Sequence, residues 1–507
     1  MNGRNVIVIG GSVGGLVAAA YLARGGAHVT LLEARNTLGG EAENAPIADG
    51  FSAPLIAHTL YALDPRMVHE LELHKHGLQF AERDMPLVAL RPGGQHIVIA
   101  RDAHAARARL SAFAAADADA YLRFRREAMA MARRLRPLWT GALPDGDAKP
   151  ETAAKALKLS PTRSRELTAL SRMSAASYLD RWFESDALKA ALGFDAAADG
   201  LSPQEAGSAL ALLWRYAQES CGLQGAVAQP KGGPGALTEA LAEAARAAGA
   251  ELRTGTRVRA ITMEAGRPSG VVLESGESLP ASVVLSSLSA RRTLELAPPE
   301  VLGLGDGTPS SAARTGTAKL LLALKSLPPF AGLERDALRG RLVVAERPES
   351  AAEAKGAALA GRLPAELVME ITVPSIADTS LSPQGQHVLS VRVPYLPLLP
   401  EGGWQARREV LAERIIATLE SYAPGLRERI VAQELLTPDD IAARYDTEAG
   451  DVVNATRMLT PCVTRARTPL PGIYLCGTSA EAVNAVSGCA GRVAANLVLT
   501  EERMAEA

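Results

Sequence analysis

The stretch VIVIGGSVGGL (Val6–Leu16) decides the fold class of this chain. Its four β-branched residues predict a buried strand, its glycines a tight turn, and the Ala/Leu-rich residues from Leu16 onward a helix. A second apolar run, Val29–Glu33, predicts the next strand. This βαβ order predicts an α/β protein whose Rossmann-like domain has a parallel sheet.

The same region has a second interpretation, because no charged residue occurs between Val6 and Ala23. A signal peptide or a membrane span would also show such a run. Four glycines, at positions 10, 11, 14 and 15, interrupt it where a span requires continuous helix-forming residues. We therefore expect a cytoplasmic protein, with peripheral membrane contact as the alternative.

Composition excludes several classes of function. The 507 residues include 54 Lys+Arg and 56 Asp+Glu, a net charge of −2, so the basic surface of a nucleic-acid-binding protein is not expected. The four cysteines are scattered and form no C-x-x-C motif, which argues against a disulfide framework, a dithiol redox centre and a zinc site. No metal site is predicted.

The glycine-rich turn has the spacing of a dinucleotide site. Gly10 and Gly15 take the outer glycine positions. Ser12 stands at the middle position, where a glycine would let the backbone approach a pyrophosphate. The helix that starts at Gly14 directs its positive end at that anion. Glu33 ends the second strand, where a carboxylate accepts hydrogen bonds from a ribose diol and repels the 2′-phosphate of NADP.

The segments that follow favour FAD over NAD. Arg35 and the pair Gly39–Gly40 come directly after the acidic residue, and the pair lets backbone lie flat against a long cofactor. The segment Thr256–Ile261 is placed to pass beside the adenine. The strand Gly472–Cys476 leads to a helix at Gly488, which we expect to face the flavin or its ribityl chain. We find no second G-x-G-x-x-G unit for NAD(P)H.

Periodicity predicts further elements along the chain. Helices are expected at His104–Leu138, Thr152–Arg172, Met173–Leu192, Ala236–Ala248, Trp404–Tyr422 and Gly488–Thr500. Strands are expected at Glu251–Arg253, Val258–Met263, Gly270–Glu274, Val283–Ser286, Ala318–Leu324, Glu366–Thr372, His387–Val393 and Gly472–Cys476.

Four segments in this order resemble the FAD-dependent amine oxidase superfamily, in particular its phytoene-desaturase-like (carotenoid desaturase/isomerase-like) branch. They are the glycine turn through Gly40, KGGPGAL at Lys231–Leu237, the insert segments 371–378 and 382–388, and the C-terminal segments 436–441 and 468–477. The resemblance implies a Rossmann-like FAD-binding domain of the glutathione-reductase-2 type, an inserted mixed α+β substrate domain and a helical subdomain.

The resemblance also implies a division of the chain. The FAD-binding domain consists of residues 1–85, 226–300 and 456–507. The helical part of the insert consists of residues 86–225, and the substrate domain consists of residues 301–455. The predicted cofactor-binding residues are Gly10, Gly11, Ser12, Gly14, Gly15, Glu33, Ala34, Arg35, Gly39, Gly40, Glu41, Val258, Gly477, Thr478, Ser487 and Gly488.

One departure from the family concerns the loop after the C-terminal strand. Relatives have a glycine run beside the flavin ring, whereas this chain has AVNAVSG at residues 482–488. The side chains of Val483 and Asn484 are therefore candidates to occupy substrate space. No catalytic residue is assigned, although Glu481 and Asn484 lie in the loop expected near the ring.

Three further features each have two interpretations. His58 either faces the ring or is a core histidine, and Cys489 either carries a covalent flavin or is a small buried cysteine at a helix start. The arginine-rich helix 121–136 either lies on an anionic membrane surface or presents a solvated face.

The resemblance implies hydride transfer from a small or lipophilic organic substrate to flavin N5, which is desaturation or dehydrogenation. Electrons would pass to O2, a quinone or another acceptor. The alternatives are a flavin-dependent isomerase without net redox and a non-catalytic or partner-dependent FAD protein. The oligomeric state stays open.

Overall fold

The structure is a computed structural model and describes residues 3–143, 146–147, 149–197, 200–298, 315–445 and 455–506. Its strands are β1 (Asn5–Ile9), β2 (His28–Leu32), β3 (Asn44–Ala48), β4 (Phe51–Pro54), β5 (Phe80–Glu82), β6 (Leu87–Ala89), β7 (Ile97–Ile99), β8 (Glu219–Ser220), β9 (Leu223–Gln224), β10 (Gln229–Pro230), β11 (Glu251–Arg253), β12 (Val258–Glu264), β13 (Arg267–Leu273), β14 (Ser278–Pro280), β15 (Val283–Ser286), β16 (Gly316–Leu324), β17 (Arg341–Val344), β18 (Met369–Thr372), β19 (His387–Leu396), β20 (Ile430–Leu436) and β21 (Ile473–Leu475).

The α-helices are α1 (Val13–Arg24), α2 (Pro65–Glu70), α3 (Ala103–Phe113), α4 (Ala115–Trp139), α5 (Pro150–Ala156), α6 (Pro161–Leu170), α7 (Ala175–Asp180), α8 (Asp186–Gly193), α9 (Ser208–Ala217), α10 (Gly235–Ala247), α11 (Ala290–Glu295), α12 (Ser350–Leu359), α13 (Gly403–Tyr422), α14 (Pro438–Tyr445), α15 (Ala455–Leu459), α16 (Cys462–Ala466) and α17 (Cys489–Glu506).

A five-stranded parallel sheet has the order β11-β2-β1-β15-β21. Alternate residues of β1 point to its two faces: Val6 and Val8 join the core beneath α1, α10 and α17, whereas Ile7 and Ile9 join the core beneath β12 and β13. Because both faces are covered, the strand reads as an unbroken apolar run. The predicted α/β fold with a Rossmann-like domain is confirmed.

A seven-stranded sheet has the order β20-β16-β19-β18-β17-β6-β7. Its pairs are antiparallel except β17 with β6. Helix α13 packs on one face, where Ile415 and Leu419 are fully buried. A third apolar core joins helices α3–α9 to residues of this sheet, among them Tyr395.

Three predicted long helices are wrong because each is divided in two. The segment 104–138 breaks at Ala114, whose backbone is non-helical (φ −145°, ψ 79°) between α3 and α4. In the segment 152–172, α5 ends at Ala156, and α6 begins at Pro161 after the N-cap Ser160. Proline favours the first turn of a helix, so a new helix starts there. The segment 173–192 divides into α7 and α8, with Ser185 as the second N-cap.

The other predicted elements agree with the structure to within a few residues at their ends, and helix α17 extends further than predicted, to Glu506. Across the described part of the chain, no helix has both the length and the apolar character needed to cross a bilayer.

Candidate functional site

The turn between β1 and α1 begins the site. Gly10 has φ +92°, a conformation that residues with a Cβ atom rarely adopt. Ser12 is the N-cap of α1, and its Oγ accepts a hydrogen bond from the Gly15 N–H at 3.4 Å. Because this contact uses an acceptor site of the hydroxyl, the hydroxyl hydrogen is left to donate to a ligand oxygen. Ser12 thus both caps the helix and presents a donor.

Glu33 follows β2 directly and lies against this turn. Its Oε2 accepts from the Gly11 N–H at 2.6 Å and its Oε1 from the Arg35 N–H at 2.8 Å. These two bonds fix the orientation of the carboxylate. Since an ionised carboxylate has about four acceptor sites, positions remain for the two hydroxyls of a ribose.

The second glycine segment lies beside the first. The Gly39 N–H donates to the Gly11 carbonyl at 2.7 Å, and Gly39 has φ +112°. A Cβ atom there would lie 2.6 Å from Oγ1 of Thr238 in α10. Close packing thus requires a residue without a side chain at position 39.

The two ends of the described chain meet at the site. A Cβ atom at Gly14 would lie 2.1 Å from the carbonyl oxygen of Cys476, and one at Gly491 would lie 2.1 Å from the Gly14 carbonyl oxygen. Helices α1 and α17 are therefore in direct contact, and β21 delivers its carboxyl end to the start of α1. A cofactor gripped from both termini is compatible with this geometry.

The loop after β21 differs from the expected open backbone. Val483 is 1% exposed and packs with Ala482 and Ala485 into the core of the helical region. The Val483 side chain thus lies in this apolar core, and its place in substrate space stays a prediction. The Asn484 amide donates to Oε1 of Glu41 at 3.4 Å, which ties this loop to the segment after Gly39–Gly40.

Glu481 is the titratable group of this loop. Its carboxylate accepts from the Ser487 hydroxyl and from the Ala490 N–H at 3.3 Å. Burial raises the pKa of Glu481 to about 8, partly opposed by the Ser487 hydrogen bond. The side chain is therefore a carboxylic acid at neutral pH and can donate a proton.

Arg35 lies in a polar cluster at the other end of the site. Its guanidinium pairs with Glu43, donates to Thr37 Oγ1 at 2.9 Å and stacks over the Tyr445 ring at 4.9 Å. Arg444 also pairs with Glu43, at 2.8 Å, so α14 is fastened to this cluster. Sequence reasoning missed Glu43, Arg444 and Tyr445, because no local motif connects residues so distant in the chain.

The remaining predicted residues occupy varied positions. Val258 is buried between the parallel sheet and the sheet β12–β14, and Thr478 is exposed, with its carbonyl accepting from Arg457 at 3.1 Å. Gly477 is buried against the Ser287 backbone. Ala34 and Gly40 are partly exposed, whereas Gly488 is buried.

A buried ionic cluster joins the seven-stranded sheet to the loop between β4 and α2. His58 is 4% exposed, and its Nε2 lies 3.3 Å from Oε2 of Glu370, while its Nδ1 lies 3.2 Å from Ser390 Oγ. Burial and the nearby Lys319 lower the pKa of His58 to about 4. His58 is thus a neutral core histidine.

Lys319 and Glu370 belong to the same cluster. The Lys319 ammonium donates to the Ile56 carbonyl at 3.0 Å, and burial lowers its pKa well below the usual range. Burial opposes ionisation of Glu370, but Arg341 and His58 outweigh it and lower the pKa of that carboxyl. Each residue interrupts an apolar strand, and this interruption was the one sequence signal that could have revealed the cluster.

A family profile decides the identity of this chain. The profile described as "Flavin containing amine oxidoreductase" matches residues 13–313, from the start of α1 to beyond β15. The chain belongs to this family. As a member of it, the protein is an FAD-dependent oxidoreductase with FAD as its cofactor, and its reaction has a small-molecule substrate and an electron acceptor.

Relatives of this protein cover nearly the whole chain. The rat "Pyridine nucleotide-disulfide oxidoreductase domain-containing protein 2" is 30% identical over 98% of this chain and 93% of its own length. The "zeta-carotene-forming phytoene desaturase" of Myxococcus xanthus is 26% identical over 88% of this chain and 83% of its own length. The resemblance to the phytoene-desaturase-like branch is confirmed.

Solved structures share the fold. An oxidoreductase from Methanosarcina mazei has a TM-score of 0.64 at 18% identity and covers 97% of this chain and 100% of its own. A triple mutant of putrescine oxidase has a TM-score of 0.64 at 15% identity, with 100% and 99% covered. The capped helix, the oriented Glu33 carboxylate and the two glycine segments of this chain fit an elongated dinucleotide such as FAD.

Proposed function

We propose that this FAD-dependent oxidoreductase removes a hydride from a C–H bond of a small or lipophilic organic substrate, in a dehydrogenation or desaturation. The observation that carries the proposal is the apolar environment of the loop after β21. Ala482, Val483 and Ala485 pack into a core that also contains Tyr395 of the seven-stranded sheet and Trp214 of α9. An apolar wall beside the cofactor suits a substrate that itself lacks charge.

The titratable side chain of this loop is held without charge, because burial keeps the proton of Glu481 in place at neutral pH. Bound FAD supplies the hydride-accepting atom. The residues of the chain bind the cofactor, exclude water and keep a proton available at the Glu481 carboxyl.

The names of the relatives support a lipophilic substrate. The Myxococcus xanthus protein is a zeta-carotene-forming phytoene desaturase, and the Cereibacter sphaeroides relative, 25% identical over 87% of this chain, is a neurosporene-forming phytoene desaturase. Both names describe desaturation. The acceptor that reoxidises the flavin in this protein is proposed to be O2, a quinone or another small acceptor.

The geometry supports an assignment of the cofactor contacts. We assign the pyrophosphate to the turn at Ser12 and the start of α1, and the adenosine ribose to Glu33. The loop between Gly477 and Gly488 is assigned to the flavin end, because it joins β21 to α17 beside Glu41.

Anaerobic titration of the purified protein tests this proposal. Polyene hydrocarbons and unsaturated terpenoids are added to the oxidised flavoprotein, with matched charged amines as the control set. We expect a polyene to bleach the flavin absorbance and to yield a product with one more double bond. Bleaching by the amines alone would contradict the proposed substrate class.

A second candidate, a non-catalytic or partner-dependent FAD protein, is favoured by one observation. Where relatives have glycines, this chain places Val483 in a core and bonds Asn484 to Glu41. Flavin that no substrate reduces would support it. Product formation that needs prior reduction of the flavin, without net oxidation of substrate, would instead support the isomerase.

A further inference from the structure

One buried carboxylate connects the segment beside the glycine turn to helix α14. Glu43 is 5% exposed, and its two oxygens have different partners. Oε2 accepts from Arg35 and from the Thr37 hydroxyl, the latter at 3.0 Å. Oε1 accepts from Nε of Arg444 at 2.9 Å and from the Tyr445 hydroxyl at 3.1 Å. We call these five residues the Glu43 clasp, because one oxygen bonds the local segment and the other bonds a helix distant in the chain.

The segment 33–43 lies around the glycine turn. The Arg35 N–H donates to the Glu33 carboxylate at 2.8 Å, and the Gly39 N–H donates to the Gly11 carbonyl at 2.7 Å. Arg35 is thus joined to Glu33 through its backbone and to the clasp through its guanidinium. A shift of this segment would therefore move both the acidic residue and the second glycine segment away from the turn.

Helix α14 is itself fixed to the seven-stranded sheet. It begins two residues after β20 ends, and the intervening Thr437 is fully buried. The Asp440 carboxylate accepts two hydrogen bonds from Arg408 of α13, each at 2.6 Å, and one from the Thr437 N–H at 2.7 Å. The packing of α14 on this sheet therefore sets where the side chains of Arg444 and Tyr445 lie.

The charges of the clasp depend on one another. Burial opposes ionisation of Glu43, but Arg35 and Arg444 outweigh it and lower the pKa of that carboxyl. The Arg35 guanidinium also lies over the Tyr445 ring, 4.9 Å from its centre, which is a cation–π contact. Without the two α14 side chains, a buried carboxylate would lose one of its cations and the donors to Oε1. Such a loss destabilises the arrangement that orients the segment 33–43.

We propose that Arg444 and Tyr445 are positioning residues for FAD. Through Glu43 they hold the segment 33–43 around the glycine turn, and they thereby strengthen retention of the cofactor. The proposal rests on the cofactor contacts proposed above and is independent of the substrate. Because linkage between two equilibria is reciprocal, bound FAD should in turn stabilise the attachment of α14.

The rate of FAD release from the holoprotein tests the proposal. The holoprotein is diluted, and the rise of flavin fluorescence is followed. The variant Arg444→Met/Tyr445→Phe removes the α14 donors to Oε1 and keeps the aromatic ring. We expect it to release FAD at least about fivefold faster than the wild type, since coupling and affinity changes of this size act mainly on dissociation. Any smaller acceleration would overturn the proposal.

Arg427→Met is the matched control. Arg427 also pairs with a glutamate, Glu413, but both side chains are about half exposed and lie outside the clasp. We expect FAD release from this variant to equal that of the wild type. Equal acceleration in the control and in the clasp variant would show a general effect of arginine loss and would overturn the proposal.

Amide hydrogen exchange separates positioning from a purely structural role. In the wild type, bound FAD should slow exchange in residues 438–445 by at least about fivefold relative to the protein after removal of FAD. The difference should vanish in Arg444→Met/Tyr445→Phe. Exchange in these residues that FAD leaves unchanged in the wild type would overturn the proposal, and this result does not depend on how well a variant folds.

Glu33→Gln distinguishes a failure of this proposal from a failure of the cofactor contacts proposed above. Faster FAD release in Glu33→Gln alone would support the ribose contact and overturn the role of the clasp. Faster release in the clasp variant alone would overturn the ribose contact and support a clasp that acts through Gly39 and Gly40. Release at the wild-type rate in both variants would overturn both.

Discussion

Replacement of Glu33 by glutamine is the most direct test of how this chain holds FAD. The carboxylate already accepts from the Gly11 N–H at 2.6 Å and from the Arg35 N–H at 2.8 Å. Glutamine has one acceptor oxygen in place of two, so one of these N–H groups loses its partner. An unsatisfied buried donor costs about 1–3 kcal/mol.

The loss should also appear in cofactor affinity. Hydrogen bonds to an ionised group contribute about 1.5–3 kcal/mol, roughly twice the value for neutral partners. For two ribose hydroxyls the lost charge is then worth about 2 kcal/mol, which corresponds to FAD binding about 30-fold weaker. Titration of the cofactor-free protein with FAD, followed by flavin fluorescence, measures this dissociation constant.

Glu251→Gln is the matched control. Glu251 is exposed at the start of β11, next to β2 in the same sheet, and its Oε2 accepts a 3.3 Å hydrogen bond from Thr30 Oγ1. We expect its FAD affinity and its free energy of unfolding to equal those of the wild type. An unchanged dissociation constant in Glu33→Gln would refute the assignment of Glu33 to the ribose.

Three further predictions follow from the packing and the buried charges. Gly39→Ala should lower the free energy of unfolding, measured by chemical denaturation, more than Gly276→Ala does. Both glycines have positive φ, but an added Cβ atom would lie 2.6 Å from Thr238 Oγ1 at position 39 and would face open space at position 276. Equal losses would show that the Thr238 contact is unimportant. Because the pKa of His58 is lowered from 6.5 to about 4, folding must keep that ring unprotonated, so its contribution is present above pH 6.5 and is lost as the pH falls towards 4. The stability lost between pH 6.5 and pH 4 is about 3 kcal/mol. The free energy of unfolding should therefore fall less steeply with falling pH in His58→Gln than in the wild type. Parallel pH curves of the two proteins would contradict this assignment. Val483→Ala should lower the free energy of unfolding by about 2 kcal/mol without raising turnover, since Val483 is 1% exposed in a core, and a gain in turnover would instead place this side chain in substrate space.

Local sequence predicted the parallel sheet of this protein well. The apolar run at β1, the glycine turn and Glu33 lie within one βαβ unit, so short-range patterning specifies them. The strands β15 and β21 were recognised for the same reason, since a strand buried on both faces is apolar throughout. The helical region was predicted less well, because Ser160 and Ser185 divide helices that periodicity alone reads as continuous.

By itself, the sequence determined the parallel sheet, the capped turn and the acidic residue after β2, because each depends on neighbours a few residues away. Only the tertiary structure decided that Lys319 and Glu370 lie beside His58, and that Asn484 meets Glu41. Such contacts join residues from different elements, and their positions are set by how sheets and helices pack. The charge state of each group then follows from the burial and the partners that this packing imposes.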